Sequence, residues 1–221
     1  MPLIYFIAAG AVGLALHLGT MALLAKAFGI AIRRVSYGLG PTLYSTAVLQ
    51  IKALPLSGHV KFKDSREESL EVDDRADAFN HQPIWKQVVI PLAGNACLVL
   101  FAVGVLGSEG WASFVRGFFQ VFEGALSPLG AGQSNLESFQ RFVSDRSLVA
   151  VFALVASKLA AVNLLPFGAF NGGQMLMTVV RFGRPELSAE QAITRFGILL
   201  TLILLIGWLL ALGSLLLGHA S

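Results

Sequence analysis

Four apolar runs set the first limit on what this chain can become. Leu3–Leu24, Val88–Leu106, Ser147–Leu165 and Phe196–Leu217 are each about as long as the roughly 20 residues needed to cross a hydrocarbon core. His17 interrupts the first and Lys158 the third; the other two carry no charged side chain. Charged residues make up 13% of the 221, against about 25% in soluble domains. The pattern predicts a multi-pass membrane protein, and the length suits one domain. The first run begins without a basic leader, so it reads as a retained span and not a cleaved signal. The single cysteine, Cys97, excludes an internal disulfide and reads as a small apolar packer in mid-span. A net charge of +3 and no aromatic–basic patch argue against nucleic acid as a partner.

Between the first two runs, Tyr37-Gly-Leu-Gly-Pro41 marks a turn. Residues 48–63 are broken by Pro55 and Gly58, and short apolar pieces around such a centre read as a hairpin. Residues 64–77 are dense in Asp and Glu and read as a flexible, solvated loop, or else as a docking patch for a basic partner. Trp85 and Lys86 look like interfacial anchors for the second run. In 107–146, Trp111, Phe114, Phe118, Phe119 and Phe122 recur at helical spacing. They predict an amphipathic helix on the membrane surface, or else an ordinary helix packed over the bundle. Ser188 reads as an N-cap for the last span.

The third run ends in Asn163-Leu-Leu-Pro-Phe-Gly-Ala-Phe-Asn-Gly-Gly-Gln-Met175. Pro166 and the glycines break helix geometry at membrane depth. Such backbone is tolerated only where it is buried in protein or lines a cavity, so this stretch reads as the wall of a site.

That stretch resembles the third-segment motif of the site-2 protease family, intramembrane zinc metalloproteases with Asn-x-x-Pro-x-x-x-Leu-Asp-Gly-Gly, whose Asp is a zinc ligand. Four further stretches resemble the family in order: Met21–Ile30, Ser36–Pro41, Leu54-Pro-Leu-Ser-Gly-His-Val-Lys61 and Ala78–Asn95. The resemblance implies a membrane re-entrant hairpin at 54–61. The family's PDZ domain would fall between the second and third runs, where about 40 residues are too few for it. Aligned back from Phe28-Gly29, the family's His-Glu-x-x-His falls on His17-Leu-Gly-Thr-Met21, and its Asp on Asn171. Leu18 cannot accept a proton, Met21 is a thioether, and Asn171 is neutral.

From these departures the sequence predicts a catalytically inactive, site-2-protease-like subunit or scaffold, with no zinc and no catalytic residue, that binds other transmembrane segments. Its expected partners are the lipid bilayer and other integral membrane proteins. Pro55, Gly58, His59, Lys158, Asn163 and Pro166 are the expected groove. The alternatives are an active metalloprotease with a rearranged site, in which His59 meets His17, and a lipid or small-molecule binder using the vacated cavity. A His17–Asn171 hydrogen bond is expected. Lys158, costly inside a span, is expected to meet an acidic or polar group of a neighbouring chain or a lipid phosphate.

The expected architecture is an all-α bundle of four spans with a small re-entrant β-hairpin. The loop after the first span carries nine Lys and Arg, and 107–146 carries three. This bias places 26–87 and 181–195 in the cytoplasm of a bacterial inner-membrane protein, with both termini outside.

Overall fold

A computed structural model describes residues 2–168, 170–181 and 190–218. The Ser188 cap lies outside the described residues. Seven α-helices and one long β-hairpin follow in the order α1 (Pro2–Ala27), β1 (Ile32–Ser45), β2 (Leu49–Phe62), α2 (Ile84–Leu106), α3 (Ser108–Leu126), α4 (Gln133–Asp145), α5 (Leu148–Asn163), α6 (Asn171–Arg181) and α7 (Glu190–Gly218).

Among the described residues, three helices are long and apolar enough to span a membrane: Ile4–Ala27, Ile84–Leu106 and Glu190–Leu217. The expected span at 147–165 is a shorter apolar helix, α5, of 16 residues. At 1.5 Å per residue it reaches about 24 Å, short of the ~30 Å core. Ser147 caps its start by accepting from the Ala150 amide. At its other end Pro166, which cannot continue a helix, follows within three residues. α5 is nonetheless the inner helix of the bundle, packed by α1, α2 and α3, and its Ala150, Val151, Ala153, Ala156, Ser157, Ala160 and Ala161 are buried. Small side chains let the neighbours approach closely.

The fold is mostly helical with one two-stranded antiparallel sheet, and that hairpin is longer than the sequence suggested. Each strand has 14 residues, and pairing runs antiparallel from Ile32 opposite Phe62. The Tyr37–Pro41 stretch, expected as a turn, lies inside β1. Gly38 and Gly40 there take positive φ (96° and 84°), which glycine adopts without a side-chain clash. They fold the ribbon back, so that Val35, Ser36 and Tyr37 face Leu49, Gln50 and Ile51 as well as Val60, His59 and Gly58.

The hairpin climbs along α1. The Tyr37 hydroxyl donates to the Ala11 carbonyl at 2.9 Å, sixteen positions above Ala27, or about 24 Å of helix. At its base Val60 and Phe62 pack with Met21, Ala25, Ile30 and Ile90. Residues 64–77, read from sequence as a flexible loop, are tied down. Lys63 donates to Asp77 (2.8 Å), Arg33 to Glu68 (2.8 Å), and Asn80 to Ser65 (2.7 Å).

The 107–146 segment is two helices, and α3 does not lie apart on a surface. It runs alongside α5: Ser113 meets Ser157, a Cβ on Gly117 would touch Ala161, and Phe122 meets Phe167. Farther on, the Trp208 indole of α7 donates to the Val121 carbonyl at 3.0 Å. The seven-residue spacing of Gly110, Gly117 and Gly124 gives α3 one face of close approach, to Ala102, Ala161 and Trp208 respectively. The aromatic periodicity was legible; the glycine stripe decides which way the helix packs.

Candidate functional site

Three side chains from distant parts of the chain converge inside the bundle. His17 and Met21 lie four residues apart on α1 and so share a helix face. Asn171 opens α6. Its amide nitrogen donates to His17 Nε2 at 2.9 Å and to Met21 Sδ at 3.6 Å. An amide NH2 can only donate, so Nε2 is the accepting nitrogen of the imidazole. The expected His17–Asn171 bond is therefore present. His17 is 3% and Met21 6% exposed. α2 closes the far side: a Cβ on Gly94 would lie 2.6 Å from His17 Nδ1, so only glycine admits the ring here.

The Gly172-Gly173 pair has a similar reason. A Cβ on Gly172 would lie 2.2 Å from the Leu164 carbonyl oxygen, and one on Gly173 would lie 2.0 Å from that of Phe167. The first turn of α6 is pressed onto the broken segment after α5, and this sets the position of Asn171.

Leu18 is buried beside the cluster and faces the hairpin. A Cβ on Gly58 would sit 2.5 Å from Leu18 Cδ1 and 2.7 Å from the Ser36 carbonyl oxygen. Side chains alternate along a strand, and residues 58, 60 and 62 are half-buried while 59 and 61 are exposed. His59 therefore points away from α1, and the structure does not bring it to His17. Beyond Gly58 the hairpin exposes Leu54 (52%) and Leu56 (64%), with Pro55 between them half-buried.

The remaining expected groove residues separate. Asn163 is the last residue of α5, and Pro166 is exposed in the turn after it. Lys158 belongs to the other side of α5. Its ammonium donates to the Ser113 carbonyl at 2.8 Å and to Gln120 Oε1 at 2.6 Å. The expected partner from another chain or a lipid is replaced by α3 of the same chain. Tyr37, Gly94 and Gln120 were not singled out as site residues. Gly94 had a signal, since it sits in the Pro91–Asn95 stretch that carries the resemblance.

The Peptidase family M50 model matches residues 5–204, and the chain belongs to that family of site-2-type membrane peptidases. It is similar to the "Putative zinc metalloprotease" of Xylella fastidiosa, 34% identical over 98 residues, covering 42% of this chain and 21% of that protein. It is 28% identical over 164 residues to Protease RseP of Yersinia pestis (66% and 36% covered). It is 32% identical over 113 residues to Zinc metalloprotease Rip1 of Mycolicibacterium smegmatis (47% and 27%). The chain thus spans between a fifth and two fifths of the length of these relatives.

These findings correct two expectations. A family of peptidases with relatives named zinc metalloproteases points to protease activity, against the expected non-enzyme, and implies zinc, against the expected lack of a cofactor. The side chains at the matching place are one imidazole, one thioether and one carboxamide, all uncharged. Zinc sites ordinarily take three or four donors from Cys, His, Asp and Glu. No group of three of those gathers among the described residues. The donor set seen here does not fit zinc's usual one. Leu18, in place of a carboxylate, offers no atom that takes a proton.

Proposed function

We propose that the chain binds a transmembrane segment of another integral membrane protein along the exposed apolar side of the hairpin, beside α1. The observation that carries this reading is the hairpin itself. It is docked on α1 through Gly58 at Leu14 and Leu18 and through Tyr37 at Ala11. Beside that contact it leaves Leu39, Leu43, Leu54 and Leu56 exposed, on a ribbon that runs along the apolar helix α1. A strand ribbon with an open apolar surface in the bilayer suits a hydrophobic peptide, and hydrolysis of such a segment is the activity that family membership supports. The basic-residue bias supports an orientation in which the 26–87 segment, carrying the re-entrant hairpin, enters from the cytoplasmic side and both termini lie outside, in a bacterial inner membrane.

Binding is tested with the chain in lipid nanodiscs and a fluorescent single-span peptide. Leu54→Ala/Leu56→Ala is expected to weaken binding at least tenfold, while Leu202→Ala/Leu205→Ala on α7 leaves it unchanged. Mass analysis of the peptide from the same samples reads hydrolysis. Equal affinities in both variants would remove the hairpin from the account.

A further inference from the structure

We propose that His17 and Met21 form a site for a soft monovalent metal ion, copper(I) or its redox-inert substitute silver(I), with Asn171 as its closing group. The inference is independent of segment binding.

Two neutral donors of the right kind already face one point. Nε2 and Sδ both direct lone pairs at the Asn171 amide nitrogen, 2.9 and 3.6 Å away. The two donor atoms are therefore at most 6.5 Å apart (2.9 + 3.6). An N–H donor stands where a cation would draw the same two lone pairs. Turning the carboxamide over replaces its NH2 with Oδ1 and changes the closing group into a third donor. Met175 lies one turn along α6 from Asn171, on the same face, and is half-buried.

Ligand softness and charge select the ion. Thioethers select copper(I) among the first-row metals, and imidazole suits copper as well. The charge of the surroundings points the same way. α1, α2, α5 and α6 contain no Asp or Glu, so no carboxylate in these helices offsets a buried cation. Born desolvation grows with the square of the charge, so a dication in this dry, uncharged site is penalised about fourfold more than a monocation. Burial of His17, Leu18 and Met21 also keeps water from competing with a weak thioether donor.

The test titrates the purified full chain, in a Cys97→Ala background that removes the one competing thiol, with silver(I), and with copper(I) under anaerobic conditions against a chromophoric chelator. About one ion per chain is expected. X-ray absorption of the copper(I) form should show nitrogen or oxygen together with sulfur as ligands. Met21→Leu nearly preserves volume, and such swaps are well tolerated, so it separates binding from folding. It should lower affinity at least tenfold, as should His17→Ala. Failure of the folded parent chain to hold either ion would overturn the proposal, as would stoichiometric binding that survives Met21→Leu.

Discussion

Gly58→Ala is the sharpest perturbation of the hairpin's seat on α1. The new methyl would start 2.5 Å from Leu18 Cδ1 and 2.7 Å from the Ser36 carbonyl oxygen. The leucine methyl can rotate aside, but the carbonyl belongs to the paired strand and cannot move without breaking register. Overpacking of this kind costs about 1–3 kcal/mol. For a chain of this size each kcal/mol moves Tm by about 2–4 °C, so a fall of about 2–12 °C is expected. Cys97 supplies the assay. It is the single cysteine, partly buried on α2, and a fluorogenic maleimide reports its exposure as the detergent-solubilised protein is heated. Gly19→Ala is the control, because nothing lies within 4 Å of its added methyl. A helical Gly→Ala change with free space stabilises by about 0.5–1 kcal/mol. Opposite signs for the two variants are therefore expected. Adding Leu18→Ala to Gly58→Ala relieves one of the two clashes, so the double variant should lose less than the sum of the singles. A Gly58→Ala protein as stable as Gly19→Ala would refute the docked hairpin.

Lys158→Met removes two charge-assisted donors, each worth about 1.5–3 kcal/mol net of water. Amide exchange across Ser108–Leu126 should quicken while the oligomeric state stays the same; unchanged exchange would return Lys158 to a partner outside the chain. The loop below the hairpin should loosen in acid. The hydrogen bond from Lys63 holds the Asp77 carboxyl below its usual range, and that from Arg33 does the same for Glu68. Carboxyls depressed on folding stabilise above their unfolded values, and that contribution fades as pH falls through the lower folded values. Proteolysis within 63–83 should therefore rise as pH drops below about 4, and Asp77→Asn should flatten the dependence; a flat profile in the parent chain would dissolve the link. In a Cys97→Ala background, cysteine at Ser69 should be shielded from membrane-impermeant reagent in intact cells and cysteine at Ser134 should react. Reaction at Ser69 would invert the assigned topology.

What the sequence made legible was whatever one stretch decides alone. The apolar runs marked α1, α2 and α7, and the motif around Asn171 marked the partner of His17 across 154 positions. Features that depend on two stretches were misread. Lys158 looked unpartnered because its acceptors, a backbone carbonyl at Ser113 and Gln120, lie on a helix assigned to the surface. The hairpin looked short because glycines that mark turns elsewhere here bend a continuous strand. The acidic run at 64–77 looked mobile because its cations come from Arg33, Lys61 and Lys63. Loss of the usual ligand residues read as loss of chemistry. Family membership corrects that reading, and it also leaves a donor set whose preference the sequence shows only once His17 and Met21 are known to share one buried point.

The claim that the hairpin receives a membrane segment is tested most directly by photo-cross-linking in the bilayer. A benzophenone amino acid is placed at Leu56 on the hairpin or at Leu202 on α7, two positions of similar exposure (64% and 50%). Both are irradiated with a labelled single-span peptide present. The account predicts adducts at residue 56 in clear excess over those at residue 202, and competition by unlabelled peptide at residue 56 alone. Equal yields at the two positions, neither reduced by competitor, would contradict it.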